Sequence, residues 1–297
     1  MRLIRLFHYF RAALAAGILA VALAPAPASA LAVAGGATIR NAGTGMHQAK
    51  LGPVNQQTCF LSGISGSFVG NPAFFPHPDA TVEARAEVVN IGGFWVLRTK
   101  GGVGTGVGAS AICIFATANM VELSQTDNLT SDTRPATPNR HCFLSTVWAT
   151  SGLSGNVPGT GETNLSLTKT SGQNPVFTFA GSFLNNFGGD LGFGGATARC
   201  VDYVESGSWN FTLPGPTNAA NSATKTLVLR NSFPNGTPIP VAGVGCFLTA
   251  ISNRWVSPSP DPLGLLDGVF LTGDPKISKN WELTASNGRQ GSVHCSK

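Results

Sequence analysis

Cys59-Phe60-Leu61-Ser62, Cys142-Phe143-Leu144-Ser145 and Cys246-Phe247-Leu248-Thr249 are copies of one phrase, and their reading decides the fold. Each is followed at a similar distance by a second cysteine, Cys113, Cys200 and Cys295, so the cysteines count three repeats. Several connectivities are open to a six-cysteine chain. The repeat selects one: Cys59 with Cys113, Cys142 with Cys200, Cys246 with Cys295. Closing a loop of this length stabilises the fold by roughly 4 kcal/mol in the chain-entropy model. No C-x₂-C pair exists and the spacings are too long for a structural zinc knuckle, so no metal is expected.

Outward from Cys59, the opening strand runs through Ile64 to Phe68. Val82, Ala84, Ala86 and Val88 then alternate with Glu83, Arg85 and Glu87. That period of two belongs to a strand with one face inward and one in water, which sets Glu83 and Glu87 toward solvent. Phe94-Trp95-Val96-Leu97 reads as a third strand, the glycine tract Gly101 to Gly108 as a turn, and Ala109 to Phe115 as a fourth strand carrying Cys113. The second repeat offers Leu165-Ser166-Leu167, Phe177-Thr178-Phe179, glycines from Gly188 to Gly195, and Ala198-Arg199-Cys200. The third offers Val269-Phe270-Leu271, Trp281-Glu282-Leu283 and Val293-His294-Cys295, with Asn287-Gly288 as a two-residue hairpin signal between the last two strands.

The expected fold is all-β: three tandem four-stranded, disulfide-closed modules packed into one pseudo-threefold body, sandwich, propeller-like or prism-like. Modules of this size bury too little alone, which favours packing side by side. The boundaries read as a leader at 1–30, a lead-in at 31–58, modules at 59–118, 142–204 and 246–297, and connections at 119–141 and 205–245. The lead-in holds a short strand candidate, Ala37 to Arg40. The second connection holds two, Trp209 to Leu213 and Thr226 to Leu229.

The first thirty residues have a secretory leader's layout: Arg2, Arg5 and Arg11, an apolar run from Ala12 to Ala24, and the small-residue site Ala28-Ser29-Ala30. The run is too short to span a bilayer. The chain is therefore expected outside the cytoplasm, in the periplasm, secreted or on the cell surface, where paired cysteines oxidise, and without a transmembrane segment once the leader is removed. Most of the formal charge of +5 sits in the leader, and the remainder has no Lys/Arg stripe. Nucleic acid is accordingly excluded as a partner.

No catalytic motif emerges. Gly104-Thr105-Gly106-Val107-Gly108-Ala109 has the bare spacing of a dinucleotide loop, but a Cys-bearing β stretch follows where a helix would be required, so the hairpin reading is preferred and no cofactor is expected. His47, His77, His141 and His294 form no H-x-x-x-H pair; His141 and His294 directly precede cysteines. For the paired carboxylates of a glycosidase, Glu83, Glu87, Glu162, Asp190, Asp261, Asp267 and Glu282 are available. Trp148, Trp209 and Trp255 lie outside the core strands of the repeats, and flat aromatic faces among Asn, Asp and Ser suit stacking on sugar rings.

The string Cys59-Phe60-Leu61-Ser62-Gly63-Ile64-Ser65-Gly66-Ser67-Phe68, followed by Trp95-Val96-Leu97 and Ala109-Ser110-Ala111-Ile112-Cys113, resembles a cysteine-bearing β-repeat of secreted bacterial surface, fibre-tip and adhesin-like proteins. The resemblance implies an extracellular binding or structural role and carries over no catalytic residues. The expectation is a secreted, non-enzymatic binding protein that presents its repeats to a glycan or cell surface. The alternatives are a polysaccharide hydrolase using paired carboxylates and a structural coat or matrix component.

Overall fold

The computed structural model describes residues 33–41, 45–66, 82–101, 106–115, 121–126, 132–137, 139–151, 162–170, 176–184, 194–213, 224–232, 235–252, 268–273, 279–286 and 289–297. These form strands and connections without a helix, and among them no helix is long and apolar enough to cross a membrane. The first six strands are β1 (Val33–Asn41), β2 (Met46–Pro53), β3 (Thr58–Gly66), β4 (Val82–Ile91), β5 (Phe94–Lys100) and β6 (Val107–Ile114). The next six are β7 (Val121–Thr126), β8 (Asp132–Pro135), β9 (Arg140–Ser151), β10 (Glu162–Lys169), β11 (Val176–Leu184) and β12 (Gly194–Asp202). The last six are β13 (Ser208–Leu213), β14 (Thr224–Val228), β15 (Gly245–Ser252), β16 (Gly268–Thr272), β17 (Glu282–Ser286) and β18 (Gln290–Ser296).

They pair antiparallel into three six-stranded sheets. Sheet I runs β1-β6-β3-β16-β17-β14, sheet II β7-β12-β9-β4-β5-β2, and sheet III β13-β18-β15-β10-β11-β8. Adding six to each strand number of sheet I, counting cyclically, yields sheet II, and adding six again yields sheet III. The sequence period, read from the cysteines as four strands, is thus six strands in the topology.

The four strands spanned by each cysteine pair do not stay in one sheet. The outer two pair with each other, whereas the middle hairpin joins the sheet of another repeat: β4–β5 lies beside β9, β10–β11 beside β15, and β16–β17 beside β3. Each hairpin thereby covers a strand edge that a free-standing module would leave unpaired. The expected hairpin between the last two strands is accordingly overturned, because β17 belongs to sheet I and β18 to sheet III; residues 287–288 lie outside the described set. The glycine tract before Cys113 likewise leads from β5 in sheet II to β6 in sheet I, a crossing rather than a hairpin. A true tight hairpin occurs at Gly92-Gly93, where φ values of 58° and 81° meet the left-handed requirement of a two-residue turn and the Gly93 N–H donates to Asn90 Oδ1.

The disulfides join residues directly opposite each other on neighbouring strands, Cys59–Cys113, Cys142–Cys200 and Cys246–Cys295, with Cα separations of 4.0, 3.9 and 4.0 Å. The fourth residue of each phrase has a defined role. Ser62, Ser145 and Thr249 are skipped in the strand register, so each phrase ends on a β-bulge that raises the local twist. The second residue of each phrase builds the centre: Phe60, Phe143 and Phe247 are buried together, with centroid distances of 5.0, 5.2 and 4.3 Å. Facing these rings across the strand pairs stand Ile112, Arg199 and His294, each one residue before a closing cysteine. Equivalent positions therefore hold an aliphatic group, a cation and an imidazole.

Candidate functional site

The imidazole position leads to a cluster of two histidines and a carboxylate, His141, His294 and Glu205. His294 lies on β18 beside Cys295, and His141 lies at the start of β9 beside Cys142, so both are attached to disulfide-linked strand pairs. Glu205 comes from the segment that leaves β12 in sheet II for β13 in sheet III. Tyr203 N–H donates to Asn139 O at 2.8 Å, Ser206 N–H to Lys297 O at 2.6 Å, and Lys297 N–H to Gly207 O at 2.9 Å, which stitches this segment to both sheets. The Tyr203 ring stacks on His141 at 4.1 Å and its hydroxyl is 2.5 Å from Ser296 Oγ.

One Glu205 carboxylate oxygen stands 2.6 Å from His294 Nε2 and 3.2 Å from His141 Nδ1. His294 Nδ1 is 2.9 Å from Oδ1 of Asn210, its direct neighbour on β13. Since that amide oxygen only accepts, Nδ1 donates to Asn210, while Nε2 is hydrogen-bonded to the Glu205 carboxylate. The rings of His141 and His294 lie 5.8 Å apart. His141 Nε2 is buried and has no hydrogen-bond partner among the described residues.

Burial pushes the His141 pKa down to about 4, against the opposing pull of Glu205, so this ring is neutral at pH 7. Burial works to raise the Glu205 pKa, but the hydrogen bond to His294 and the proximity of both imidazoles outweigh it and leave the carboxyl below its usual range. Burial holds the Tyr203 phenol far above its ordinary value, so the hydroxyl stays protonated.

Of the residues expected from sequence to bind, Trp148 sits half-buried on the outer face of sheet II, opposite Arg85 and Gly195. Its indole lies across Gly195, where a Cβ would fall 2.7 Å from the ring, and the Arg85 guanidinium is 6.0 Å from the ring centre. Trp209 and Phe211 share a face of edge strand β13 and line a groove of about 460 Å³ with Leu227, Arg230 and Ser232. Trp255 lies outside the described residues.

Among the described residues, no two of the candidate carboxylates are seen brought together. Glu87 is only 4% exposed, because Arg85 and Arg98 both close over it as ion pairs. Glu282 belongs to a different sheet, and the side chains of Glu83, Glu162, Asp190, Asp261 and Asp267 lie outside the described residues. Of the histidines, His47 is exposed on β2 and His77 lies outside the described set. Glu205 had no sequence signal at all; the adjacency of His141 and His294 to cysteines was the only hint of the cluster.

Comparison with models of known protein families gives no match, and neither does comparison with curated proteins. The function must be argued from the surfaces themselves.

Proposed function

We propose that this is a secreted, non-enzymatic binding protein of the bacterial surface-protein type, whose three six-strand repeats form one pseudo-threefold body and whose ligand is a glycan. The observation that carries the reading is the groove between β13, the edge of sheet III, and the segment that follows β14, the edge of sheet I. Its floor is aromatic and aliphatic, Trp209, Phe211 and Leu227, and its rim is polar, Arg230, Asn231 and Ser232. Such a surface offers a stacking face for the apolar side of a sugar ring and hydrogen-bonding groups for its hydroxyls. The rim is pre-ordered: Arg230 donates to Gly236 O at 2.7 Å, and Asn231 Oδ1 accepts from Thr237 N–H at 2.9 Å. Ordering the loop before binding lowers the entropic cost of recognition. The outer face of sheet I carries a second groove, about 760 Å³, with Phe270 beside Ser62, Thr38 and Ser110. Buried disulfides suit an oxidising compartment and hence the secreted placement.

The test incubates the protein, disulfides intact, with a panel of soluble and insoluble polysaccharides and follows co-sedimentation together with release of new reducing ends. Binding without product, weakened at least about tenfold by Trp209→Ala at unchanged melting temperature, is the expected result. Release of reducing ends would replace this reading with the hydrolase, and absence of both signals across the panel would leave the glycan reading without support and favour a structural coat role.

A further inference from the structure

We infer that His141, Glu205 and His294 form a binding site for one transition-metal dication of the zinc type, next to the glycan groove, whose lining includes Asn210. The donors are two imidazole nitrogens and one carboxylate oxygen, with ligand atoms within 4.8 Å of one another. This set suits zinc and its neighbours; calcium and magnesium favour oxygen donors throughout. The spacing also fits. Two ligands each about 2.1 Å from a tetrahedral ion stand about 3.4 Å apart, close to the 3.2 Å between Glu205 Oε1 and His141 Nδ1. The 2.6 Å contact to His294 Nε2 has to open by under 1 Å, and Glu205, on a connection rather than a strand, can supply that movement.

Two further features point the same way. Asn210 Oδ1 holds the proton of His294 on Nδ1, the outer-shell hydrogen bond that orients a metal-ligating histidine and frees Nε2 as a donor. Nε2 and the carboxylate thus face each other 2.6 Å apart, and a dication bound there takes the place of the proton they share. Both histidines sit beside half-cystines in paired strands, which fixes their separation before any ion arrives.

The test is a titration of tag-free protein, disulfides intact and previously dialysed against a chelator, with zinc chloride at pH 7.5, read by calorimetry and by metal content after equilibrium dialysis. One ion per chain with a Kd tighter than about 10 μM is expected, with magnesium and calcium chloride giving no binding in the millimolar range. Glu205→Gln, a substitution of matched shape on a part-exposed segment, and His294→Ala should each weaken binding at least tenfold; Asn210→Ala should weaken it roughly 10- to 100-fold. His47→Ala, on the exposed β2, should leave binding unchanged. Metal-free melting curves identify any variant that fails to fold, and Glu205→Gln decides if His294→Ala does. Less than one zinc bound per chain at millimolar metal, equal affinity in Glu205→Gln, or loss of binding in His47→Ala would each overturn the site.

Discussion

The rings of Phe143 and Phe247 lie 4.3 Å apart, centroid to centroid, although they come from different repeats and different sheets. Phe60 completes the group from the remaining sheet, 5.0 Å from Phe143 and 5.2 Å from Phe247, so the three copies of the phrase meet at one point of the core. Replacing Phe143 by Ala should cost about 3–5 kcal/mol, since the ring is fully buried and its neighbours belong to strands that disulfides prevent from collapsing inward. Phe247→Leu should cost under about 1.5 kcal/mol. Guanidinium unfolding with disulfides intact measures both. The Phe143→Ala/Phe247→Ala double variant should depart from additivity by at least about 0.5 kcal/mol, and strict additivity would show that the rings do not act as one cluster.

The indole N–H groups of Trp95 and Trp281 make the same hydrogen bond in two repeats. Trp95 donates to Gln57 O at 2.6 Å and Trp281 to Val244 O at 3.0 Å, in each case the carbonyl two residues before the opening cysteine. In the other repeat the ring in that role is Phe177, which has no N–H, and the matching carbonyl, Arg140 O, accepts from Lys169 Nζ at 3.4 Å instead. Trp95→Phe and Trp281→Phe should therefore each lose about 1–3 kcal/mol, because a buried carbonyl is left without its donor. Urea midpoints check this.

Arg199 is 4% exposed, stacks 4.2 Å from the Trp95 ring centre, and donates to Cys59 O at 3.1 Å and Val88 O at 3.2 Å, so one guanidinium ties sheet II to sheet I. Arg199→Lys keeps the charge but cannot reach two carbonyls with a planar fork. A loss of roughly 2–4 kcal/mol is expected for Arg199→Lys and for Arg199→Met alike, read from thermal or denaturant unfolding. A Lys variant as stable as the parent would mean that charge alone matters there.

Stability should fall with acidification in a window set by His141. Its folded pKa, about 4, lies below its ordinary 6.5, so the unfolded chain takes up a proton first as pH drops. The contribution is fully present above pH 6.5 and is lost as pH falls toward 4, reaching roughly 3 kcal/mol. Glu205, also held below its ordinary value, adds a further loss under more acidic conditions. Unfolding midpoints from pH 7 to 4 should show this slope, and His141→Asn should flatten it; an unchanged slope would move the titration to another group.

Removing the central disulfide with Cys142→Ala/Cys200→Ala should cost about 2–5 kcal/mol while leaving the strand pairing intact, since the ladder around that pair extends from Gly194 to Asp202. Loss of the native near-ultraviolet circular dichroism along with the stability would instead show that the crosslink is needed to align the sheets.

Much of this was readable from residues alone, and the limits follow from physics. The pairing of cysteines was legible because repeated phrases impose repeated geometry, and the inward alternation of Ala84, Ala86 and Val88 was legible because a strand's side chains point to opposite faces in turn. The solvent placement of Glu87 failed. Alternation assigns a face, but whether that face is wet depends on what lies across it, here Arg85 and Arg98 from the same and the neighbouring strand.

Local chemistry by itself determined most strands of the repeats and the three cysteine pairs, because strand formation and cysteine oxidation follow from residue type and short-range spacing; the meeting of the three phenylalanines came from the tertiary structure. Only the tertiary structure decided which sheet each middle hairpin enters, and with it the meeting of His141, Glu205 and His294. Backbone hydrogen bonds are the same for every residue type, so no sequence pattern names the partner strand. Glu205 reaches the two histidines only because the connection from β12 to β13 crosses between sheets at that point.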